Sequence, residues 1–562
     1  MQCLQPKCDM IIVFGAVYKN ENANLHVRLP QGIVQGKMNR TVDRRTQYFS
    51  FEGIPYAQPP VGVLRFRPPV PAGNWDGVLN ATVMHVPSCV QVTPSFFNGF
   101  EESEDCLYVN VFTPIKVNSL SQINRHTKLL PVMVWIYGGA FLLGSANASY
   151  FGPDNLLEEG VVVVHFGYRL SSFGFLSTED MESPGNYGLK DQHLALRWTK
   201  DNVRHFGGDP NKITIFGESA GSVSVQYQLM YPANQGLFQG AISESGSALC
   251  IWAYQRQPKK IAFDLGRSAG LRTNDTRELI NYLRNITTEK LKSATMKASI
   301  KNSLGIINGI PFAPVIEPEH KHAFITEKNH KLLSEGKFLK VPYIIGFNSE
   351  EAAIAKSALD VANPILRFYD FDFSTWVPTG MNVGENTDTV GKKIRDYYFN
   401  TSKSRADQYL EYINDGYFFR PIIESARLFG LLTPTYMYAF TYEGMLGRKA
   451  LGYSEVDEYK GVVHTEEMAY IWSRNNFPEP NNTDRITRAR MIKMWTNFAK
   501  EGNPTPESDH LLQNIIWPQV GTRMAYLNIN RSLSARERYK NKAMGFWERI
   551  YSEYGNPPYD TY

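Results

Sequence analysis

The chain has almost no excess charge: 59 Lys and Arg stand against 55 Asp and Glu over 562 residues, a formal +4. So weak a balance suggests no nucleic-acid partner. No stretch approaches the roughly 18 uninterrupted apolar residues of a membrane-spanning helix, so no membrane span is expected. The closing run YSEYGNPPYDTY is too polar for a lipid-anchor signal. Cysteine is scarce. Cys3, Cys8, Cys89, Cys106 and Cys250 are too few and scattered for a disulfide scaffold, and they lack metal-site spacing. Internal repeats and low-complexity tracts are missing as well. What is present is material for a large core: 43% apolar and 20% charged residues are the balance of an ordinary globular protein, which excludes disordered and fibrous classes.

Residues 1–24 read as an N-terminal extension or a signal segment. Met10 to Tyr18 is apolar with Lys7 before it, although Phe14 and Ala16 do not form a small-x-small cleavage site. Secretion is the expected localisation. Eight Asn-x-Ser/Thr sites (Asn39, Asn80, Asn147, Asn274, Asn285, Asn400, Asn481 and Asn530) fit it. A bridge between Cys89 and Cys106 would close a short loop worth about 3 kcal/mol and would imply an oxidising compartment. The odd cysteine count leaves at least one thiol free.

Short β-branched and apolar runs ending at Ile136, Phe166, Phe216, Phe347 and Tyr442 read as buried strands. Helical spacing separates them, as in Gly188 to Phe206 and Ala220 to Met230. Alternating strand and helix predicts an α/β fold with a large, mainly parallel sheet flanked by helices. HVRLPQGIVQGKM and TQYFSFEGIPYA alternate around glycines and predict an antiparallel ribbon leading into that sheet. The stretches 270–340 and 355–430 carry helical spacing without a clear linker. One domain over 25–555 is expected.

Gly217, Glu218, Ser219, Ala220 and Gly221 spell G-x-S-x-G. The bare pattern is weak, but here KITIF precedes it as a strand and helical spacing follows. That is the strand-to-helix elbow that exposes a nucleophilic hydroxyl. The helix beginning there aims N–H groups and its positive dipole end at the same spot. A serine hydroxyl needs a base and an orienting acid. Among downstream histidines, His320, His322 and His330 crowd a charged stretch that reads as solvated surface. His464 follows a strand-like run with a glycine, and His510 lies in a polar loop. For the acid, Glu350 and Glu351 both follow the strand PYIIGF, and spacing alone does not choose between them. Gly138, Gly139 and Ala140 follow the strand VMVWI. Backbone N–H groups of Gly139, Ala140 and Ala220 are the expected oxyanion donors.

Several blocks resemble the type-B carboxylesterase and cholinesterase family of α/β-hydrolases, over about residues 25 to 550. EDCLYVNVF (Glu104 to Phe112) is similar to one family signature, FGGDPNKITIFGESAG (Phe206 to Gly221) to another, and PGNYGLKDQHLALRW (Pro184 to Trp198) to a third block. The resemblance implies an α/β-hydrolase fold and Cys89 paired with Cys106. It selects Glu351 through the pattern G-x-N-x-x-E and His464 through G-x-x-H. It makes Ser245 a hydrogen-bonding support for the acid and Trp252 a wall of the acyl pocket. Cys250 falls where some relatives carry an unpaired thiol.

The departures sharpen the reading. Cholinesterases place a cation-binding Trp where Phe96 stands, so a choline ester is not expected. Phe96, Phe97 and Phe100 would line an apolar gorge. Ala140 replaces a glycine, as in active insect esterases, and SEGKFLKVPY resembles insect β-esterases. Juvenile hormone esterases carry Gln where this chain has Glu218. The expectation is a serine esterase for neutral, hydrophobic small-molecule esters, needing neither metal nor cofactor. The opposing readings are a silent cholinesterase-like adhesion protein and, among enzymes, a juvenile hormone esterase or a lipase.

Overall fold

A computed structural model describes residues 25–42, 46–82, 86–92, 101–114, 126–303, 309–356, 372–450, 460–474, 477–559 and 561–562. The 1–24 segment, with Cys3 and Cys8, and the three phenylalanines Phe96, Phe97 and Phe100 lie outside them.

Twelve strands form the main path of one sheet: β1 (Leu25–Leu29), β2 (Gly32–Arg40), β3 (Gln47–Pro55), β4 (Tyr108–Thr113), β5 (Leu130–Ile136), β6 (Val162–Phe166), β7 (Gly208–Glu218), β8 (Gly240–Glu244), β9 (Tyr343–Asn348), β10 (Thr435–Phe440), β11 (Ala525–Ile529) and β12 (Ser534–Glu537). A thirteenth, Val78–Asn80, pairs with β2. The spatial order is β1-β2-β3-β4-β6-β5-β7-β8-β9-β10-β11-β12. Pairing is antiparallel from β1 to β6 and at the β11/β12 edge, and parallel in between.

The burial follows that arrangement. In β1, LHVRL alternates buried and exposed residues, as a strand with one wet face should. In β6, VVVHF is buried throughout, as are all residues of β9 and β10, because helices cover both faces of the parallel part. The expected strands are β5, β6, β7, β9 and β10, and the expected ribbon is β1 to β3. Four strands of this path are not singled out by the sequence pattern: β4, β8, β11 and β12. In β8, only GAISE is extended before a Ser- and Gly-rich turn, too short a run to read as a strand by itself.

The helices that matter for the site are α1 (Tyr187–Asn202), α2 (Ala220–Met230), α3 (Arg405–Ile413), α4 (Arg420–Gly430) and α5 (Asn482–Glu501). A capping box of Asn481 and Asp484 opens α5, satisfying two N-terminal amides. A disulfide joins Cys89 to Cys106. Cys250 is buried and free, and burial pushes its thiol pKa up. Such a thiol is a small apolar side chain rather than a reactive one.

Candidate active site

The parallel strands β5, β7, β8 and β9 all end on one side, the edge where α/β folds collect their reactive loops. Ser219 sits there between β7 and α2 with φ 59° and ψ −123°, a backbone conformation that costs a non-glycine residue energy. The turn closes only because its neighbours are small. A Cβ on Gly221 would lie 2.0 Å from the Ile136 carbonyl oxygen, and one on Gly217 would lie 2.6 Å from it. The Ser219 N–H donates to the Glu244 carbonyl at 2.8 Å, tying the elbow to β8.

His464 Nε2 stands 2.8 Å from Ser219 Oγ, and Nδ1 stands 2.6 Å from Glu351 Oε2. Glu351 is fully buried, and its Oε1 accepts the Asn348 N–H at 2.7 Å. Ser219 and His464 each keep 9% exposure, enough to meet a substrate while the acid stays dry. Glu350, the other acid the sequence left open, turns away and accepts from Asn414 Nδ2 at 2.7 Å. The other downstream histidines lie elsewhere. His320 pairs with Glu317, His330 stacks on Tyr562, and His322 and His510 are exposed.

Gly138 brings the β5 loop against the elbow: a Cβ there would approach Glu218 O to 2.4 Å and Ser219 Cβ to 3.0 Å. The loop then turns through left-handed conformations at Gly139 (φ 103°), Ala140 (φ 56°) and Phe141 (φ 59°). Among the described residues, the N–H groups of Gly139, Ala140 and Ala220 have no acceptor. Amides left open beside a serine hydroxyl can receive a developing oxyanion.

Three carboxylates, those of Glu218, Glu351 and Glu467, act on the single imidazole. Glu218 Oε1 is 3.2 Å from His464 Nε2. Burial pushes the Glu218 carboxyl up to about 8, with Glu467 and Glu351 adding to it against the pull of His464. Glu467 is pushed up to about 7 by burial and by Glu351, and burial also raises Glu244, whose Oε1 accepts from Trp495 Nε1 at 2.5 Å. For His464, burial opposes the charged ring, but Glu218 and Glu351 outweigh it and lift its pKa to about 9.

The structure corrects the expected role of Ser245. Its hydroxyl donates to Glu467 Oε1 at 3.1 Å and not to Glu351, whose two oxygens are taken by Asn348 and His464. Glu467, three residues after His464, occupies the space between them on the short 3₁₀ turn Glu466–Tyr470, and Asn348 Nδ2 donates to its other oxygen. Trp252 is buried, with its ring centroid 5.7 Å from that of Phe418, which in turn lies 5.3 Å from the His464 ring. Sequence reasoning missed Phe418. Among the described residues, no group of three or more His, Cys, Asp or Glu side chains could hold a metal ion.

Comparison with known proteins identifies the family. A model of the carboxylesterase family matches residues 23–547. Juvenile hormone esterase of Tribolium castaneum is 34% identical over 89% of this chain and 87% of its own length. Liver carboxylesterase 1 of Oryctolagus cuniculus is 33% identical over 91% and 90%. The crystal structure of juvenile hormone esterase from Manduca sexta, with OTFP covalently attached, superimposes with a TM-score of 0.82 at 26% identity, covering 94% of this chain and all of that one.

Proposed function

The chain belongs to the carboxylesterase family and is a serine carboxylesterase, a carboxylic ester hydrolase; on that premise we propose that Ser219 is its nucleophile, His464 its general base and Glu351 the acid that orients the base. The observation that carries the assignment is the pair of contacts at one imidazole, 2.8 Å to the hydroxyl and 2.6 Å to the carboxylate. Ser219 Oγ attacks the ester carbonyl as its proton passes to Nε2. Glu351 keeps the Nδ1 proton in place and balances the imidazolium. The N–H groups of Gly139, Ala140 and Ala220 receive the oxyanion, each donor being worth about 10²–10³ in rate. The imidazolium then protonates the departing alcohol, and water, activated by the same ring, releases the acid from Ser219.

The substrates are neutral, apolar esters, a reading supported by the aromatic rings of Trp252 and Phe418 beside His464. A juvenile hormone ester is the second reading, favoured by the names of two similar proteins and disfavoured by Glu218, where the family resemblance implies Gln for such esterases. Extracellular localisation is supported by the disulfide. Of the eight glycosylation motifs, Asn80, Asn274, Asn285, Asn400 and Asn481 are exposed; Asn285 donates its amide to the Asn281 carbonyl and Asn481 caps α5, so Asn80, Asn274 and Asn400 are the acceptors to expect. Asn39 and Asn530 have their amides engaged by Ser50 and Thr441. No described helix is long and apolar enough to cross a membrane. A single domain over 25–555 fits the continuous sheet path from β1 to β12.

A series of p-nitrophenyl esters of increasing acyl length, with a juvenile hormone alongside, tests the function. Short and medium esters should show a burst of nitrophenol equal to the enzyme added, then steady turnover. Failure to hydrolyse every ester would overturn the proposal.

A further inference from the structure

The turn that carries Glu351 is gripped on both sides by one side chain. Asn414 is buried. Its Oδ1 accepts the Ala352 N–H at 2.7 Å, and its Nδ2 donates to Glu350 Oε2 at 2.7 Å. Glu351 lies between those two contacts. The Glu350 backbone is in turn bonded to the histidine segment, its N–H donating to the Val462 carbonyl at 2.8 Å.

Asn414 also opens a π-helical stretch, Asn414–Phe419, set between α3 and α4. Such wide turns are rare and occur mostly where the extra residue serves a site. This one is anchored along its length. Asp415 accepts from Lys540 Nζ at 2.8 Å and from Tyr398 OH at 3.1 Å, and the Gly416 carbonyl accepts from Arg420 Nη2 at 2.9 Å. Phe419 packs on Phe347 of β9 with centroids 4.9 Å apart, and Phe418 stands over His464. One short segment therefore touches the turn of the acid at its first residue and the ring of the base at its fifth.

We propose that Asn414 is a positioning residue for the proton relay: its paired hydrogen bonds hold residues 350–352 so that Glu351 meets the imidazole, while the π turn keeps Phe418 in register against His464. The proposal rests on the roles assigned above to Ser219, His464 and Glu351. Glu350 contributes as the partner of the clamp. It faces Lys540, Asp415 and Glu411 as well as Asn414, and its carboxyl is pushed up to about 7, chiefly by burial.

The test compares wild type, Asn414→Ala, Asn414→Asp and the double variant Asn414→Asp with Glu350→Gln, each counted by organophosphate titration of reactive serine. Asn414→Ala should lose about 10- to 100-fold in kcat with KM nearly unchanged, the scale of a misplaced catalytic group. The acid limb of its kcat/KM profile should move to lower pH, because a carboxylate held less closely supports the imidazolium less. Asn414→Asp alone sets two carboxylates against each other and should behave as badly. Adding Glu350→Gln reverses donor and acceptor across the same gap and should recover most of kcat, a rescue that remains readable even if Asn414→Ala fails to fold. Wild-type kcat and an unmoved acid limb in Asn414→Ala, or a double variant no better than Asn414→Asp, would overturn the proposal. A wild-type protein whose Ser219 takes no organophosphate would instead remove the triad assignment beneath it.

Discussion

Around Ser219, position is set by backbone packed on backbone: a β-carbon at Gly138, Gly217 or Gly221 would fall within 2.0–2.6 Å of a neighbouring main-chain atom. Around His464 and Glu351, position is set by side chains reaching between elements distant in sequence, through Asn348, Asn414, Ser245 and Glu467. The first region is sensitive to volume and indifferent to pH. The second tolerates small changes of volume but depends on where its few protons sit, since burial raises the pKa of Glu218, Glu244 and Glu467 together. A hydrolase needs both, because the serine must be rigidly presented whereas the histidine must gain and lose a proton twice per turnover.

Four variants separate the two regions. Ser219→Ala should cost the most, about 10⁶-fold in kcat for a triad acting as a unit, measured on a p-nitrophenyl ester. Glu351→Gln should cost about 10⁴-fold by losing the tautomer that leaves Nε2 free to accept. Gly138→Ala should cost about 10²–10³-fold by pushing the oxyanion loop off the elbow, with the pH profile keeping its shape. Glu218→Gln is the mildest. Removing the largest upward pull on His464 lowers the ring's pKa, so the neutral, active form persists to lower pH. The acid limb of kcat/KM should shift down by about one unit while the plateau rate changes less than about tenfold. If Gly138→Ala moved the acid limb as far as Glu218→Gln does, the division between a packed half and a charged half would fail.

How much was legible in the sequence follows the same division. The elbow is local: a β-branched run, five small or acidic residues and a helix, contiguous from Lys212 to Met230, so Ser219 stood out from the residues alone. The base and acid lie 245 and 132 positions from Ser219 in sequence, and only the fold brings them together. The residues themselves left His464 against His510 and Glu351 against Glu350, and the family resemblance chose. The partner of Ser245 was misassigned because nothing in TEEMAYIW shows that its second glutamate turns inward. Asn414 and Phe418 were hidden for another reason. A π turn adds one residue to a run whose apolar spacing still reads as ordinary helix over 405–430.

Peptide mapping after exposure to an organophosphate tests the central claim most directly. Wild type should carry one phosphoryl adduct, on Ser219, with ester hydrolysis lost in proportion, and His464→Ala should label at least a thousandfold more slowly, about the rate owed to its base. An adduct on another residue, hydrolysis surviving full labelling of Ser219, or equal labelling rates with and without the His464 imidazole would contradict the account.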